Sequence, residues 1–392
     1  MASLSPKEST LRKALVIATK TLKDRYSPLG IQAGKRHFSD LWTRDACYAG
    51  LGSLCLGDYK AVRQSLCTIL DNQDPSGHLP VRVGQVHFLL KFLFGYSGTP
   101  EPRYREDKGV SLVVDGNALT LILAQLYVEV AQDPAFLDRY FKPLQKAITW
   151  LEHQHEDRNA FVQEGPYAGW ADSTRKQGAV LYTNVLFWKA QSCFETLAKR
   201  NGNTHAAELA HKKQEHLKTE LNKAFWENRY FIDWISQDGE KHCYFATDGN
   251  LLAIVLGLAT PEQAKLILDT IAEHQMENEG CIQTNFPTYR KNLVFFPFRL
   301  IGLHDYHNGM RWLWLGCLNA VAEFQMGLKD QAHNSLLQIA DLILRNNGVY
   351  EVYDQGKPVN RLFYKSEEGF AWSSGLFIWA YHVLHEDLTW HL

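Results

Sequence analysis

The chain has 392 residues, 45% hydrophobic and 12% aromatic, with 21% charged and a formal net charge of −2. That composition supplies a large core and excludes a disordered chain, and Lys and Arg scattered among Asp and Glu leave no basic stripe to hold a nucleic-acid partner. No stretch approaches the ~18 uncharged apolar residues of a membrane span, and the opening MASLSPKESTLRK carries no apolar signal core, so a cytoplasmic protein without a membrane partner is expected.

The predicted elements alternate along the chain. A helix with one polar face covers 6–26, and an almost wholly apolar helix follows near Asp45 in RDACYAGLGSL. The pair then recurs: 59–72 before Asp115 in DGNALTLILAQLY, 136–154 before Thr183 in TNVLFWKAQSCF, and 204–225 before Asp248 in DGNLLAIVLGLA. It ends with 261–274 before Asn308 in NGMRWLWLGCLNAV, and 331–345 before Trp372 in FAWSSGLFIWAYHVL. The polar-faced type is clearest in TPEQAKLILDTIAEH, where Thr260 is placed to cap the helix, Pro261 sits at its first position, and Gln263 completes a capping-box pattern.

The six apolar starts lie about 60 to 70 residues apart, a period that suits two helices plus connections. Helices apolar all round must be buried, whereas amphipathic ones can wrap outside them. The expected fold is therefore all-α, two concentric rings of six helices forming an (α/α)6 barrel, with residues 1–392 as one domain. Chain returns after each apolar helix are short, but the connections around 73–114, 155–181, 226–247, 275–307 and 346–369 are long and rich in Gly, Pro, Trp and Tyr. In a barrel of alternating helices these emerge at one end, so that end is expected to hold the site.

Two of the long connections carry an acid framed by aromatics: Asp172 behind Trp170 in EGPYAGWADSTRKQG, and Glu351 between Tyr350 and Tyr353 in NNGVYEVYDQGKPV. A carboxyl pair across an open pocket suits glycoside hydrolysis, one protonating the leaving oxygen while the other activates water. Trp42, Trp170, Trp312, Trp314 and Trp372 sit beside the acids or at apolar-helix starts, where flat rings can stack on sugar faces.

At this point four strings resemble known enzymes. FSDLWTRDACYAGLGSLCLGDY is similar to the Trp-Thr-Arg-Asp segment of glucoamylase-type glycoside hydrolases and to the Arg-Asp segment of amylo-α-1,6-glucosidase-like proteins and neutral invertases. GWADS with LYTNVLFWKA resembles their general-acid loop, YHNGMRWLWLG the Tyr-His-Asn-Gly segment of neutral invertases, and YEVYD with EEGFAWSSGLF the general-base loop and last helix. The resemblance implies an inverting mechanism on an α-glucosidic bond of a small saccharide or glucoside, with Asp172 as acid and Glu351 as base. It also implies that Arg44 and Asp45 hold sugar hydroxyls; by their positions, Trp42, Trp170, His307, Asn308, Trp312 and Trp372 are expected around the pocket.

Burial against Trp170 is expected to keep Asp172 protonated, while Glu351 must ionise, and inversion implies carboxyls roughly 6.5–9.5 Å apart. Glu368 is a rival for the base, and Asp40 is placed to cap the first apolar helix. Asp115 and Asp248, in matching DGN strings, read either as helix caps or as sugar contacts. His304 and His307 lack a further clustered ligand, so no metal is expected, and no Gly-rich phosphate loop implies an organic cofactor. The seven cysteines, odd in number and without a C-x-x-C pair, read as reduced and mostly buried. Two other classes stay open: a sugar 2-epimerase-like isomerase on the same fold, and a non-catalytic helical-repeat binding protein.

Overall fold

The computed structural model describes residues 5–36, 38–84, 99–105, 111–154, 160–386, 388, 390 and 392. Its long helices run in the expected alternation: α1 (Pro6–Lys23), α2 (Thr43–Cys55), α3 (Tyr59–Asp71), α4 (Asp115–Ala131), α5 (Pro134–Glu152) and α6 (Leu181–Arg200). After these come α7 (Thr204–Phe225), α8 (Thr247–Val255), α9 (Pro261–Glu273), α10 (Leu313–Gln325), α11 (Lys329–Asn346) and α12 (Ala371–Leu384).

The even-numbered helices touch in a closed cycle, α2 to α4, then α6, α8, α10 and α12, with α12 returning to α2. Each odd-numbered helix lies against an even-numbered neighbour. The difference in burial follows from composition. Every residue of α8 is buried, whereas α7 buries Ala206, Ala207, Ala210, Leu217, Leu221 and Phe225, the stripe of a helix packed on one side. The capping box of α9 forms as read, with Gln263 N–H donating to Thr260 Oγ1 at 3.3 Å and Thr260 N–H donating to Gln263 Oε1 at 2.9 Å.

Two features depart from the all-α expectation. The long connections carry short antiparallel strands. Leu41–Trp42, Arg82–Gly84 and Glu101–Arg103 form one sheet, and the Tyr230–Ile235/Lys241–Ala246 hairpin joins Ala179–Val180 to Asn285–Phe286 in another. Several end just where an inner helix begins, because the backbone N–H and C=O groups of a long buried connection need partners and find them in the adjacent connection. The second difference concerns Asn308, which precedes rather than opens an inner helix. Asn308 N–H and Met310 N–H both bond Asp305 O at 2.9 Å, so the chain turns here and α10 starts only at Leu313. Among the described residues no helix is long and apolar enough to cross a membrane.

Ring closure rests on glycine. A Cβ on Gly52 of α2 would lie 2.5 Å from Gly375 O and 2.6 Å from Gly375 Cα in α12, and one on Gly375 would lie 2.5 Å from Ala49 Cα. These neighbours are backbone and cannot rotate away. Gly375→Ala gains ~1 kcal/mol of helix propensity but costs ~1–3 kcal/mol in overpacking, so it should lower the midpoint of urea unfolding. A midpoint at or above wild type would show that the two helices separate freely.

Candidate active site

The first turns of the inner helices and the connections leading into them enclose a cavity of about 180 Å³. Its lining includes Trp42, Arg44, Asp45, Trp170, Asp172, His307, Trp312, Glu351 and Trp372 from the expected set, together with Phe38, Arg82, Tyr306 and Phe370. Asp172 and Glu351, far apart in sequence, thus border one space.

Glu351 is the more enclosed acid. It is 3% exposed, its backbone N–H donates to Glu367 O at 3.1 Å, and its carboxylate is gripped by two tyrosines. Tyr306 donates to Oε1, and Tyr364 donates to Oε2 at 2.7 Å. Burial pushes its pKa up to about 7, the tyrosine hydrogen bonds pull it down, and Glu367 nearby pushes it up again. Asp45, in the first turn of α2, is likewise pushed up to about 7, by burial first; Arg44 opposes the shift, while Glu351 and Asp115 add to it.

Asp172 differs from the expectation of deep burial. Its side chain is 16% exposed and lies 3.7 Å from His307 Nδ1. His307 is itself buried, with Nδ1 2.9 Å from Ser173 Oγ and its ring stacked on Trp312 at 5.2 Å. The buried neighbour is Trp170, which meets Trp312, Trp314 and Trp372 edge-on at centroid distances of 5.3, 4.9 and 6.1 Å. This arrangement sets the positive edges of one ring against the negative faces of others. Trp372 is stacked on Tyr48 at 4.6 Å with an interplanar angle of 1°.

Three expected sugar contacts, Asp115, Asp248 and Asn308, do not line the cavity. Neither Asp115 nor Asp248 caps its helix: Val114 and Ala246 occupy the cap positions, without side-chain cap bonds. Asp115 is fully buried and accepts from Arg44 Nε at 2.6 Å and Nη2 at 3.4 Å, so it holds the arginine rather than a ligand. Asp248 accepts from the Trp170 indole N–H, and burial raises its pKa, with Lys176 opposing. Asn308 Oδ1 accepts from Tyr289 N–H and from Asn285 Nδ2, tying two connections together. A polar residue at a helix start looks alike in sequence whether it faces a cavity or stands behind its wall.

Glu368 stands apart from the cavity lining, 40% exposed and paired with Lys35 at 3.7 Å and Arg36 at 3.4 Å. Asp40 does not cap α2; it lies 3.7 Å from Arg82 Nη1, and the Arg82 guanidinium sits 5.0 Å over the Trp42 ring. Arg82 and Tyr364 escape a reading of the sequence because nothing in their own strings sets them apart from other loop residues. Tyr306 is legible there, since it sits within the HDYHNG string, whose histidines draw the eye first. Among the described residues no group of three or more His, Cys, Asp or Glu is arranged to hold a metal ion.

No curated protein matches the chain. Among solved structures it is similar to a GH63 mannosylglycerate hydrolase from Thermus thermophilus in complex with Tris, at 15% identity and a TM-score of 0.72, covering 93% of this chain and 99% of that one. The same hydrolase with Tris and D-glycerate aligns at 15% identity and a TM-score of 0.71, covering 94% and 99%. A glycosidase variant in complex with glucose aligns at 14% identity and a TM-score of 0.68, covering 98% and 99%. At such identities the likeness speaks to the fold, which is that of glycoside hydrolases. The sequence itself goes further: residues 123–347, more than half the chain, match the catalytic domain of the glycosyl hydrolase 94 superfamily, and the protein is a glycoside hydrolase belonging to that superfamily.

Proposed function

We propose that this enzyme is a cytoplasmic, cofactor-independent, inverting hydrolase of α-glucosidic bonds in small saccharides or glucosides, built as one (α/α)6 barrel over residues 1–392. The observation that carries the reading is the cavity that Asp172 and Glu351 share, walled by Trp42, Trp170, Trp312 and Trp372. Its size suits a small ligand, below the ~300–1,000 Å³ of drug-sized sites. Neighbours of the same fold hold glucose or D-glycerate, which supports a small carbohydrate substrate. The closed cycle of inner helices supports the barrel, and seven free cysteines fit a reducing compartment.

In this reading Arg44, held by Asp115, and Asp45 bind hydroxyls of the non-reducing sugar. Asp172 gives its proton to the glycosidic oxygen as the C1–O bond breaks. Glu351 accepts a proton from water as that water's oxygen bonds C1 from the opposite face, so an α-glucoside yields the β-anomer. His307 is the one histidine among the described lining residues, which gives a histidine-dependent epimerase no support. The repeat-scaffold alternative falls with the family assignment.

Asp172→Asn and Glu351→Gln should each lower kcat on an α-linked disaccharide by roughly 10²–10⁴-fold while leaving circular dichroism and melting unchanged. Proton NMR of the first product formed by wild type should show the β-anomer. Near-normal turnover in either variant sinks that assignment, and an α-anomer sinks inversion.

The tyrosine clamp has a pH signature. Glu351 works only when ionised, so kcat/KM should fall as pH drops through about 7. Tyr364→Phe removes a hydrogen bond that favours the anion, so this acid limb should move to higher pH by roughly one unit. A limb that stays in place or moves down would show that Tyr364 does not tune the base.

A further inference from the structure

Asp172 lies in a stretch, residues 170–176, that is tied to buried groups on both sides of it. Upstream, the Trp170 indole N–H donates to Asp248 Oδ2. Downstream, Ser173 Oγ meets His307 Nδ1, and Lys176 Nζ donates to Asp233 Oδ1 at 2.7 Å, with the two side chains only 7% and 1% exposed. Asp233 Oδ2 accepts in turn from Tyr289 O–H at 2.5 Å, and the Lys176 ammonium sits 5.3 Å from the Tyr289 ring centroid. The backbone is fastened as well: Arg175 N–H donates to Leu293 O at 2.6 Å and Phe295 N–H to Ser173 O at 2.8 Å.

Neither Lys176 nor Asp233 lines the cavity. A buried ion pair is a poor way to stabilise a fold, since a well-packed apolar pair of similar volume often does as well or better. What the pair supplies here is direction. It anchors one end of the loop to the Tyr230–Ile235 strand, as Asp248 in α8 anchors the other end through Trp170. Asp172 is left partly exposed between two fixed points.

We propose that Lys176 and Asp233 form a positioning device for the general acid, holding the 170–176 loop so that the Asp172 carboxyl meets the leaving oxygen, with Tyr289 and Asp248 as its supports. This rests on the reading of Asp172 as the acid. The device acts on proton delivery alone, so it matters only for leaving groups that need a proton. In α-glucosyl fluoride the C1–F bond breaks to release fluoride as the anion, water's oxygen bonds C1, and water's proton passes to Glu351.

The test compares an alkyl α-glucoside with α-glucosyl fluoride. Asp233→Asn and Lys176→Met should lower kcat on the alkyl glucoside roughly 10–100-fold with KM nearly unchanged, yet leave fluoride release within about threefold of wild type. Tyr289→Phe, the gentlest change, should show the same split at roughly 3–10-fold. Asp172→Asn should show the largest split, and Glu351→Gln should lose both substrates. Equal loss on both substrates in the Asp233, Lys176 and Tyr289 variants, or no loss on either, overturns the positioning role while Asp172→Asn keeps its split. If Asp172→Asn itself shows no split, the assignment of the acid fails instead.

Discussion

The site depends on a contact between the two ends of the inner ring. Where Gly52 of α2 meets Gly375 of α12, the helices approach so closely that neither position has room for a methyl group. That approach brings Arg44 and Asp45, from the first turn of α2, beside Trp372 and the connection that carries Glu351. With a wider gap the cycle would open between the first and last repeats, and the pocket would lose its wall there. Dispersion and apolar burial drive the remaining inner contacts, but the glycines set how near the connections that border the cavity can come.

Inner helices that are apolar nearly all round leave polar chemistry one place to go, namely their ends. The ends are then crowded with buried carboxylates, and most are given partners. Arg44 neutralises Asp115, Trp170 donates to Asp248, Lys176 and Tyr289 hold Asp233, and two tyrosines hold Glu351. An unpartnered charge at these depths would cost several kcal/mol. The partners also divide the labour: Asp115, Asp233 and Asp248 spend their charge on holding other side chains, whereas Asp172 and Glu351 border the cavity. Glu351 is clamped directly through its own oxygens, and Asp172 is held through its loop.

The helical part of the fold was open to reading because it is local. Six apolar helices alternating with six amphipathic ones can be recognised from side-chain period, and the Thr260–Gln263 capping box from residues three apart. The strands in the connections were not. Pairs such as Cys281–Gln283 with Arg311–Trp312, or Arg311–Trp312 with Val352–Asp354, join segments two or three residues long from different repeats, too short to show a period. Asn308 misled for a different reason: a local turn closed on the Asp305 carbonyl stands between it and the apolar run that follows.

Sequence alone determined the alternation of apolar and amphipathic long helices, the grouping of the long connections, and the acids framed by aromatics, because each depends on composition and spacing within a few tens of residues. Only the tertiary structure decided which polar residues face the cavity and which stand behind it. Asp45 and Asp115 both sit in the first turn of an inner helix, yet one borders the cavity and the other is spent on Arg44. Tyr364 and Asp233, unremarkable in their own strings, matter because folding sets one against Glu351 and the other against the loop of Asp172. A side chain's partner across the ring is fixed by packing between repeats, and nothing within its own repeat encodes it.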